Sequence, residues 1–408
     1  MAIGIARLLG KESFGQLAIL QSTVGLFGTV AALGLGNTVL KHVAQHRSTD
    51  RARAGRIIVL GTVIVIGSAV IVATVLFLMA GVLASHALHL PQLTLAVRLI
   101  SLSLILNAME SVQTGTLFGL EAFSIIAKNT LGRSVLTLVL VLAGAWQWGL
   151  LGAISGQIVG DLVYNCYTWV VVSRVSHEHS IPLTMRFDRR DFPIIWNFSL
   201  PLLLTSIAGW AAQWTAGTLL IQQPGGSAQM ALFQAGRQWT TPMGLIPGAM
   251  GEVGLPMLSH QIGAGNLAAF TRTLLLQLRV STVTCVVIGG VLGTLSPLIM
   301  SVYGRDYREG WPIVVIMSFA MALNIINGIC NQVVASLGKM WSGFVFTLGF
   351  GVTLALSARL WVSNGAFGLA CAFLLAYLVH TLLQCTFSLL LLRRLNTHKR
   401  DLAAASVA

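Results

Sequence analysis

Charge is the scarcest property of this chain of 408 residues. Lys, Arg, Asp and Glu together make up 9% of it, whereas hydrophobic residues make up 55% and the mean hydropathy is +0.82. A soluble domain ordinarily covers its surface with a much larger share of charged side chains. The composition therefore excludes a water-soluble globular protein and indicates one that lies in a membrane.

Paired cysteine motifs and nucleotide-binding motifs are also absent. The five cysteines all lie in apolar segments: Cys166, Cys285, Cys330, Cys371 and Cys385. None has CxxC spacing, so the sequence indicates neither a disulfide framework nor a zinc site. The pair Gly338–Lys339 is followed by Met340, so no phosphate-binding loop of the GxxxxGK[ST] type is present. We expect no catalytic residue, no metal and no cofactor.

Apolar segments of about 20 residues, the length that crosses a bilayer core, recur along the whole chain. Residues 1–9 form a short segment that we interpret as the end of a truncated first helix. The full predicted spans are residues 14–36, 57–84, 94–118, 131–149, 150–173, 196–222, 229–257, 273–300, 312–336, 341–361 and 365–392. We therefore predict an all-α polytopic membrane protein of about 11–12 transmembrane helices.

Positive charges are sorted between the two ends of these spans. Of the 25 Lys and Arg residues, 18 flank one side and five the other, with Arg98 and Arg237 left inside spans. The richer side includes Arg47, Lys128 and Arg133. Because basic connections stay in the cytoplasm, we place this side and the C-terminus there. Topology thus explains the net charge of +13, and we expect no nucleic-acid partner.

The connections on the other side are too short to form a domain. They are predicted at residues 85–93, 146–149, 224–228, 301–311 and 362–364. A membrane-embedded glycosyltransferase or ligase would need a catalytic carboxylate or histidine facing a substantial outer loop. We therefore predict that the chain is not an enzyme.

The longest polar stretch, Ser173 to Asp191, divides the chain into two halves. The halves echo each other weakly, since GLGNTVLKHVAQ (34–45) and GEVGLPMLSHQ (251–261) both place Gly-Leu before a histidine. This pattern favours two parallel repeats around a central site. We predict an N-terminal transmembrane lobe (1–173), a cytoplasmic hinge loop (174–195), a C-terminal transmembrane lobe (196–392) and a cytoplasmic tail (393–408).

Polar side chains inside spans usually face the bundle interior or a watery cavity. Gln157, Asp161 and Asn165 are spaced by four residues and share one helical face. Asp161 is either a cavity-lining group that takes up a proton or a carboxylate that neighbouring amides and hydroxyls satisfy. Asn107 and Glu110 share a face of an earlier span. Glu110 either lines a cavity or approaches the cytoplasmic interface.

Two later spans carry further polar faces. Gln234, Arg237 and Gln238 cluster on one face, shortly before Pro242 and Pro247, which favour a bend. Arg237 either binds a phosphate through its planar guanidinium or reaches lipid headgroups. Asn324, Asn327 and Asn331 form an amide stripe that suits hydroxyl-rich substrates or polar helix packing. Arg98 is interpreted mainly as an interfacial anchor.

These segments resemble the bacterial polysaccharide-export flippases of the O-antigen and capsule type. The resemblance rests on ARLLGKESFGQLAILQSTVGLFGTVAALGLGNTVLKHVA (6–44), with its Arg-x-Leu-Gly turn, Phe-Gly-Gln and Gly-Leu-Gly. In the second half it rests on Trp196 to Pro201 and on ALFQAGRQW (231–239) with the run to GLPMLS. The wider superfamily shares this architecture with multidrug exporters and the lipid II flippase.

The resemblance implies twelve helices in two six-helix lobes around a cleft. Such proteins move a polyprenyl-diphosphate-linked oligosaccharide to the outer leaflet of the inner membrane by alternating access. It implies that Arg237, and less well Arg98, engages the diphosphate, while the polar residues above line the cavity. Expected partners are the lipid-linked substrate, H⁺ or Na⁺ as a coupling ion, and a polysaccharide polymerase or export protein. The alternative is a multidrug or cation antiporter of the same superfamily.

Overall fold

The computed structural model describes the backbone of residues 2–184, 192–264, 266–337 and 339–405. All regular structure in these ranges is helical, which confirms the predicted all-α class. The α-helices are α1 (Ala2–Ala32), α2 (Leu35–His46), α3 (Arg51–Val82), α4 (Thr94–Gly119), α5 (Phe123–Glu178), α6 (Phe192–Ile221), α7 (Gly226–Gln238), α8 (Leu245–Gly263), α9 (Leu267–Tyr303), α10 (Trp311–Ser336), α11 (Met340–Trp361) and α12 (Gly365–Ala405).

Seven helical stretches in the described ranges are long and apolar enough to cross a membrane. They are Ala2–Ala32, Arg51–Ala87, Pro91–Gly119, Phe123–Glu178, Leu267–Tyr303, Arg305–Ser336 and Trp341–Arg393. The stretch Trp341–Arg393 contains two predicted spans, separated by the 3₁₀ turn Val362–Asn364. The stretch Phe123–Glu178 also contains two. Nine of the eleven predicted spans therefore correspond to these membrane-length stretches, the exceptions being 196–222 and 229–257.

Helix α5 folds back on itself near its middle. The helical geometry is interrupted at Trp148 (φ −130°, ψ 19°) and Gly149 (φ 58°, ψ −136°). Gly149 adopts this positive φ because it has no Cβ to clash with the neighbouring carbonyl. The interruption separates a first arm (123–147) from a second arm (150–178), at the boundary between two predicted spans.

The two arms of α5 pack closely along a row of glycines spaced by four residues. A Cβ added to Gly152 would overlap the carbonyl oxygen of Gly144, and one added to Gly156 would overlap that of Leu140. Further along, a Cβ at Gly160 would press against Thr137. Small residues at this spacing let membrane helices approach closely. Residues equidistant from the turn therefore lie opposite each other on the two arms.

One predicted span, residues 229–257, is divided into two helices. Helix α7 ends at Gln238, and α8 begins at Leu245 after a 3₁₀ turn, Thr241–Gly244, that contains Pro242. Proline has no backbone N–H to continue the helical ladder, so it favours a break at this point. Arg237 consequently lies in the last turn of α7.

The chain divides into two compact units, Met1–Ala231 and Leu232–Ala408. In the first, α4 packs against α1, α2, α3 and α5, and α6 packs against α1. In the second, α12 packs against α10 and α11, and α9 packs against α8 and α10. The predicted hinge loop includes residues 185–191, which lie outside the described ranges. The predicted lobe boundaries therefore stay a prediction.

Candidate functional site

A charged cluster lies inside the first unit, centred on Arg133 in the first arm of α5. Its Nη2 atom donates to Oδ1 of Asp161 at 2.9 Å, and its Nε atom donates to the same oxygen at 3.3 Å. Nη1 of Arg133 bonds Oε1 of Glu110 on α4. The guanidinium carbon also lies 4.9 Å from the ring centroid of Tyr164. One cation thus joins α4 to both arms of α5.

The cluster is largely withdrawn from solvent. The side chain of Asp161 is 2% exposed, that of Glu110 is 20% exposed and that of Arg133 is 27% exposed. Two carboxylates and one guanidinium give a formal charge of −1 when both acids are ionised. Buried ions are tolerated only when they are paired and hydrogen-bonded. Arg133 therefore balances one of the two negative charges, and the three side chains keep a net charge of −1.

Buried amides extend this cluster along the second arm of α5. Gln113 on α4 donates from Nε2 to the backbone oxygen of Asn165 at 3.1 Å. Nδ2 of Asn165 donates to the backbone oxygen of Asp161 at 2.8 Å. Oδ2 of Asp161, Oε1 of Gln113 and Oδ1 of Asn165 are buried and accept no hydrogen bond within the described residues. The cluster thus contains three oxygen atoms whose capacity to accept a hydrogen bond or to bind a cation is unused within the described residues.

The structure unites some of the predicted residues and changes the interpretation of another. Glu110, Asp161 and Asn165 come together in one cluster, and their cavity-lining roles stay a prediction. Arg133, which the charge pattern placed at the end of a predicted span, lies within α5 and bonds both acids. This pairing was not predicted from the sequence, and the cytoplasmic position of that span end stays a prediction.

The other predicted residues of the first unit lie less centrally. Gln157 is half-buried on the second arm of α5, one turn from Asp161. Asn107 donates from Nδ2 to the backbone oxygen of Ser103, on its own helix, at 2.8 Å. Arg98 is exposed near the start of α4, with its guanidinium 5.5 Å from the ring centroid of Phe77. This setting matches an interfacial anchor, and a phosphate-binding role for Arg98 stays a prediction.

In the second unit, Arg237 lies beside a set of aromatic rings. Its guanidinium carbon is 5.8 Å from the ring centroid of Phe373 on α12. Phe373 in turn contacts Phe233, at 5.3 Å between centroids, and Tyr377, at 6.4 Å. An arginine over an aromatic face is held by the ring quadrupole. The ring of Phe373, itself packed against Phe233 and Tyr377, thus stabilises the guanidinium in the last turn of α7.

A tyrosine on α9 anchors the end of α7. Gln238 donates from Nε2 to the hydroxyl of Tyr303 at 2.7 Å, and Trp239 donates from Nε1 to it at 3.1 Å. Gln234 is half-buried one turn before Gln238. Arg237 is therefore held by the ring of Phe373, and the next residue, Gln238, is held by Tyr303.

The amide stripe of α10 divides into different environments. Asn327 is 4% exposed, and neither polar atom of its side chain has a hydrogen-bond partner within the described residues. Asn331 accepts from Nε2 of Gln384 on α12 at 3.4 Å. Asn324 contacts Sδ of Met321, one turn away, at 3.9 Å. Asn331 thus takes part in helix packing, whereas Asn327 keeps unused hydrogen-bonding capacity.

Known proteins resemble the chain in both sequence and fold. The model of a family described as "Polysaccharide biosynthesis protein" matches residues 5–312. The "EPS I polysaccharide export inner membrane protein EpsE" of Ralstonia nicotianae is 24% identical over 88% of this chain and 81% of its own length. A "Putative O-antigen transporter" of Shigella flexneri is 22% identical over 82% of this chain and 79% of its own.

A solved transporter shares the fold. The structure is an inward-facing conformation of a multidrug resistance MATE family transporter of the MOP superfamily. It matches with a TM-score of 0.77 at 14% identity, covering 97% of this chain and 94% of its own. At this identity the likeness shows the architecture alone.

Proposed function

The chain belongs to the polysaccharide biosynthesis protein family, and we propose on that basis that it transports a polysaccharide precursor across the bacterial inner membrane. The specific cargo is an oligosaccharide linked to polyprenyl diphosphate. It moves from the cytoplasmic to the outer leaflet by alternating access, without making or breaking covalent bonds. The sequence relatives, named for polysaccharide export and O-antigen transport, support this proposal. The C-terminus lies in the cytoplasm.

The observation that carries the proposal is the setting of Arg237. This cation lies in a largely apolar helical unit, over the ring of Phe373 and on the same helical face as Gln234 and Gln238. Charged side chains within membrane spans cost on the order of 3 kcal/mol each, so they usually serve a substrate pathway. A planar guanidinium can bind two oxygens of a diphosphate at once. The adjacent amides suit sugar hydroxyls.

The Arg133 cluster supplies the energy coupling. Glu110 and Asp161 together carry one negative charge more than Arg133 neutralises, and Oδ2 of Asp161 accepts no hydrogen bond within the described residues. Uptake of one H⁺ or one Na⁺ brings the cluster to neutrality. A neutral cluster costs less to hold in a low-dielectric environment than a charged one. Binding or release of the ion therefore changes which arrangement of the first unit has the lower free energy.

The test is made in a strain that lacks the gene. Its lipids are extracted, and polyprenyl-diphosphate-linked glycan is quantified with and without the gene restored. We expect glycan to accumulate in the deletion strain and to fall to wild-type levels on complementation. No accumulation contradicts the proposal.

Variants of Arg237 test the site separately. Arg237→Ala is expected to abolish complementation at wild-type protein level, whereas Arg237→Lys restores it in part, because Lys keeps the charge but not the planar fork. Arg279→Ala, which removes an exposed arginine from α9 of the same unit, is the matched control and should complement fully. Full activity of Arg237→Ala would remove Arg237 from the site.

A second candidate function is export of cationic compounds. The carboxylates of Glu110 and Asp161 favour it, because an acidic cluster inside membrane helices attracts cations. The same deletion strain distinguishes the two functions. Sensitivity to cationic dyes without glycan accumulation would indicate the antiporter.

A further inference from the structure

Two cysteines lie next to each other between α10 and α12 in the second unit. The Sγ atoms of Cys330 and Cys385 are 3.1 Å apart, although 55 residues separate them in the sequence. Both are free thiols, and both are partly buried. Cys166, Cys285 and Cys371, the other cysteines, are also free. Because the two sulfurs come from different helices, no short-range spacing in the sequence reveals the pair.

Hydrogen bonds hold α10 and α12 together on either side of this pair. Thr381 on α12 donates to the backbone oxygen of Leu323 at 3.4 Å. Gln384 donates to Oδ1 of Asn331, and Ser388 donates to the backbone oxygen of Cys330, each at 3.4 Å. Residues 381, 384, 385 and 388 share one face of α12. The thiols therefore face each other along a continuous line of contacts.

We propose that Cys330 and Cys385 form a reversible intramolecular disulfide when a peroxide reaches them. The S–S bond is about 2.05 Å long, so the sulfurs need to approach by only about 1 Å. Side-chain rotation within the existing helix pair supplies this movement. The disulfide fixes the segment of α10 that carries Asn327 and Asn331 against α12. This inference is independent of the proposed cargo.

The chemistry balances with hydrogen peroxide as the two-electron oxidant. One cysteine thiolate attacks a peroxide oxygen, the O–O bond breaks, and a sulfenic acid and one water form once the departing hydroxide takes a proton. The second thiol then attacks the sulfenic sulfur, the S–O bond breaks, and a second water leaves. Overall, two thiols and one peroxide give one disulfide and two waters. The two sulfurs are oxidised and the two peroxide oxygens are reduced.

The experiment counts thiols in the full-length protein in membrane vesicles. Vesicles are treated with hydrogen peroxide and quenched, and the protein is denatured in detergent and labelled with a polyethylene-glycol maleimide. We expect five labels before oxidation, three after it, and five again after reduction with dithiothreitol. Peptide mapping of the oxidised protein should show the peptides of Cys330 and Cys385 joined within one chain.

Serine variants provide the controls. Cys330→Ser and Cys385→Ser should each lose at most one of four labels after peroxide and form no intramolecular disulfide, because the remaining cysteine of the pair has no partner thiol to attack its sulfenic acid. Cys371→Ser, which alters a more distant cysteine of α12, should fall from four labels to two. The proposal is overturned if the wild type keeps five labels, if the lost thiols map elsewhere or join separate chains, or if reduction does not restore them. The wild-type measurement alone decides this, whether or not the variants fold.

Discussion

Arg133 and Asp161 face each other across the turn of α5, with Nη2 of the arginine 2.9 Å from Oδ1 of the aspartate. Arg133 lies on the first arm and Asp161 on the second, and the glycine row brings the arms close enough for the contact. Glu110 completes the arrangement from α4. The pair therefore depends on the backbone approach at Gly152 and Gly156 as well as on the charges themselves.

Removal of Arg133 should strongly destabilise the first unit. Arg133→Ala leaves the carboxylates of Glu110 and Asp161 buried without their cation, which costs about 3–5 kcal/mol in comparable buried pairs. The free energy of unfolding in mixed micelles measures the loss. Arg174→Ala is the control, because its pair with Glu178 has side chains 80% and 54% exposed, and such surface pairs contribute about 0–1 kcal/mol.

A double variant separates lost pairing from lost packing. In Arg133→Ala/Asp161→Asn one of the two orphaned charges is gone, so the destabilisation should be smaller than in Arg133→Ala alone. Equal or greater destabilisation would show that the guanidinium stabilises the unit through its packing on Tyr164 and not through its charge.

Helix α5 should tolerate an alanine outside the glycine row but not within it. Gly152→Ala places a Cβ on the carbonyl oxygen of Gly144 and forces the arms apart, an overpacking that typically costs about 1–3 kcal/mol. At Gly132, also in α5, a Cβ meets nothing within 4 Å. Gly132→Ala should therefore be neutral or stabilising by about 0.5–1 kcal/mol. Thermal denaturation of both variants in the same detergent compares them, and similar melting temperatures would contradict the close approach.

The Arg47–Glu121 pair, next to the turn between α4 and α5, should titrate abnormally. Nη2 of Arg47 lies 2.5 Å from Oε1 of Glu121 in the turn between α4 and α5. This hydrogen bond, together with the positive charge of Arg47, lowers the pKa of Glu121 below its ordinary value. A lowered pKa in the folded state stabilises the protein above the ordinary carboxyl range, and the gain is lost as the pH falls through the lowered pKa.

The carbon-13 chemical shift of a labelled Glu121 carboxyl measures this pKa directly. Arg47→Gln should return the pKa towards the ordinary value, and the stability change should be small because Glu121 is exposed. Arg174→Gln, which alters a separate pair, should leave the pKa of Glu121 where it is. An unchanged pKa in Arg47→Gln would show that Arg47 is not its cause.

Much of the fold follows from the sequence, because the lengths of apolar segments are a direct consequence of the bilayer. The spans predicted at 94–118, 312–336 and 341–361 agree with α4, α10 and α11 within one residue. The break between α7 and α8 follows from the lack of an N–H at Pro242. The resemblance to polysaccharide-export proteins is confirmed by the family match over residues 5–312.

The Arg133 cluster was predicted only in part, although a signal for it exists. Glu110 and Arg133 lie at nearly equal distances from the turn at Glu121, and Arg133 and Asp161 lie at similar distances from the turn at Trp148. In adjacent antiparallel helices such positions come to the same level. Charge counting treats each arginine alone, so it cannot detect a partner that only the folded hairpin brings close. Contacts between helices also decide which of the predicted polar residues face a cavity, so those roles could not be predicted from the sequence.

If the Arg133 cluster couples transport to an ion, Asp161→Asn should uncouple it. The variant keeps a hydrogen-bonding side chain but leaves one carboxylate for one guanidinium, so the cluster is already neutral and gains nothing from binding H⁺ or Na⁺. We expect the export rate to fall about tenfold, which lies within the usual range for coupling between two sites. The export that remains should be insensitive to ionophores. Wild-type export should collapse with a protonophore or a sodium ionophore, whichever matches the ion.

Glu178→Gln, at an exposed carboxylate of the same helix, should behave like the wild type. Export by Asp161→Asn that keeps both its rate and its ionophore sensitivity would place the coupling ion elsewhere.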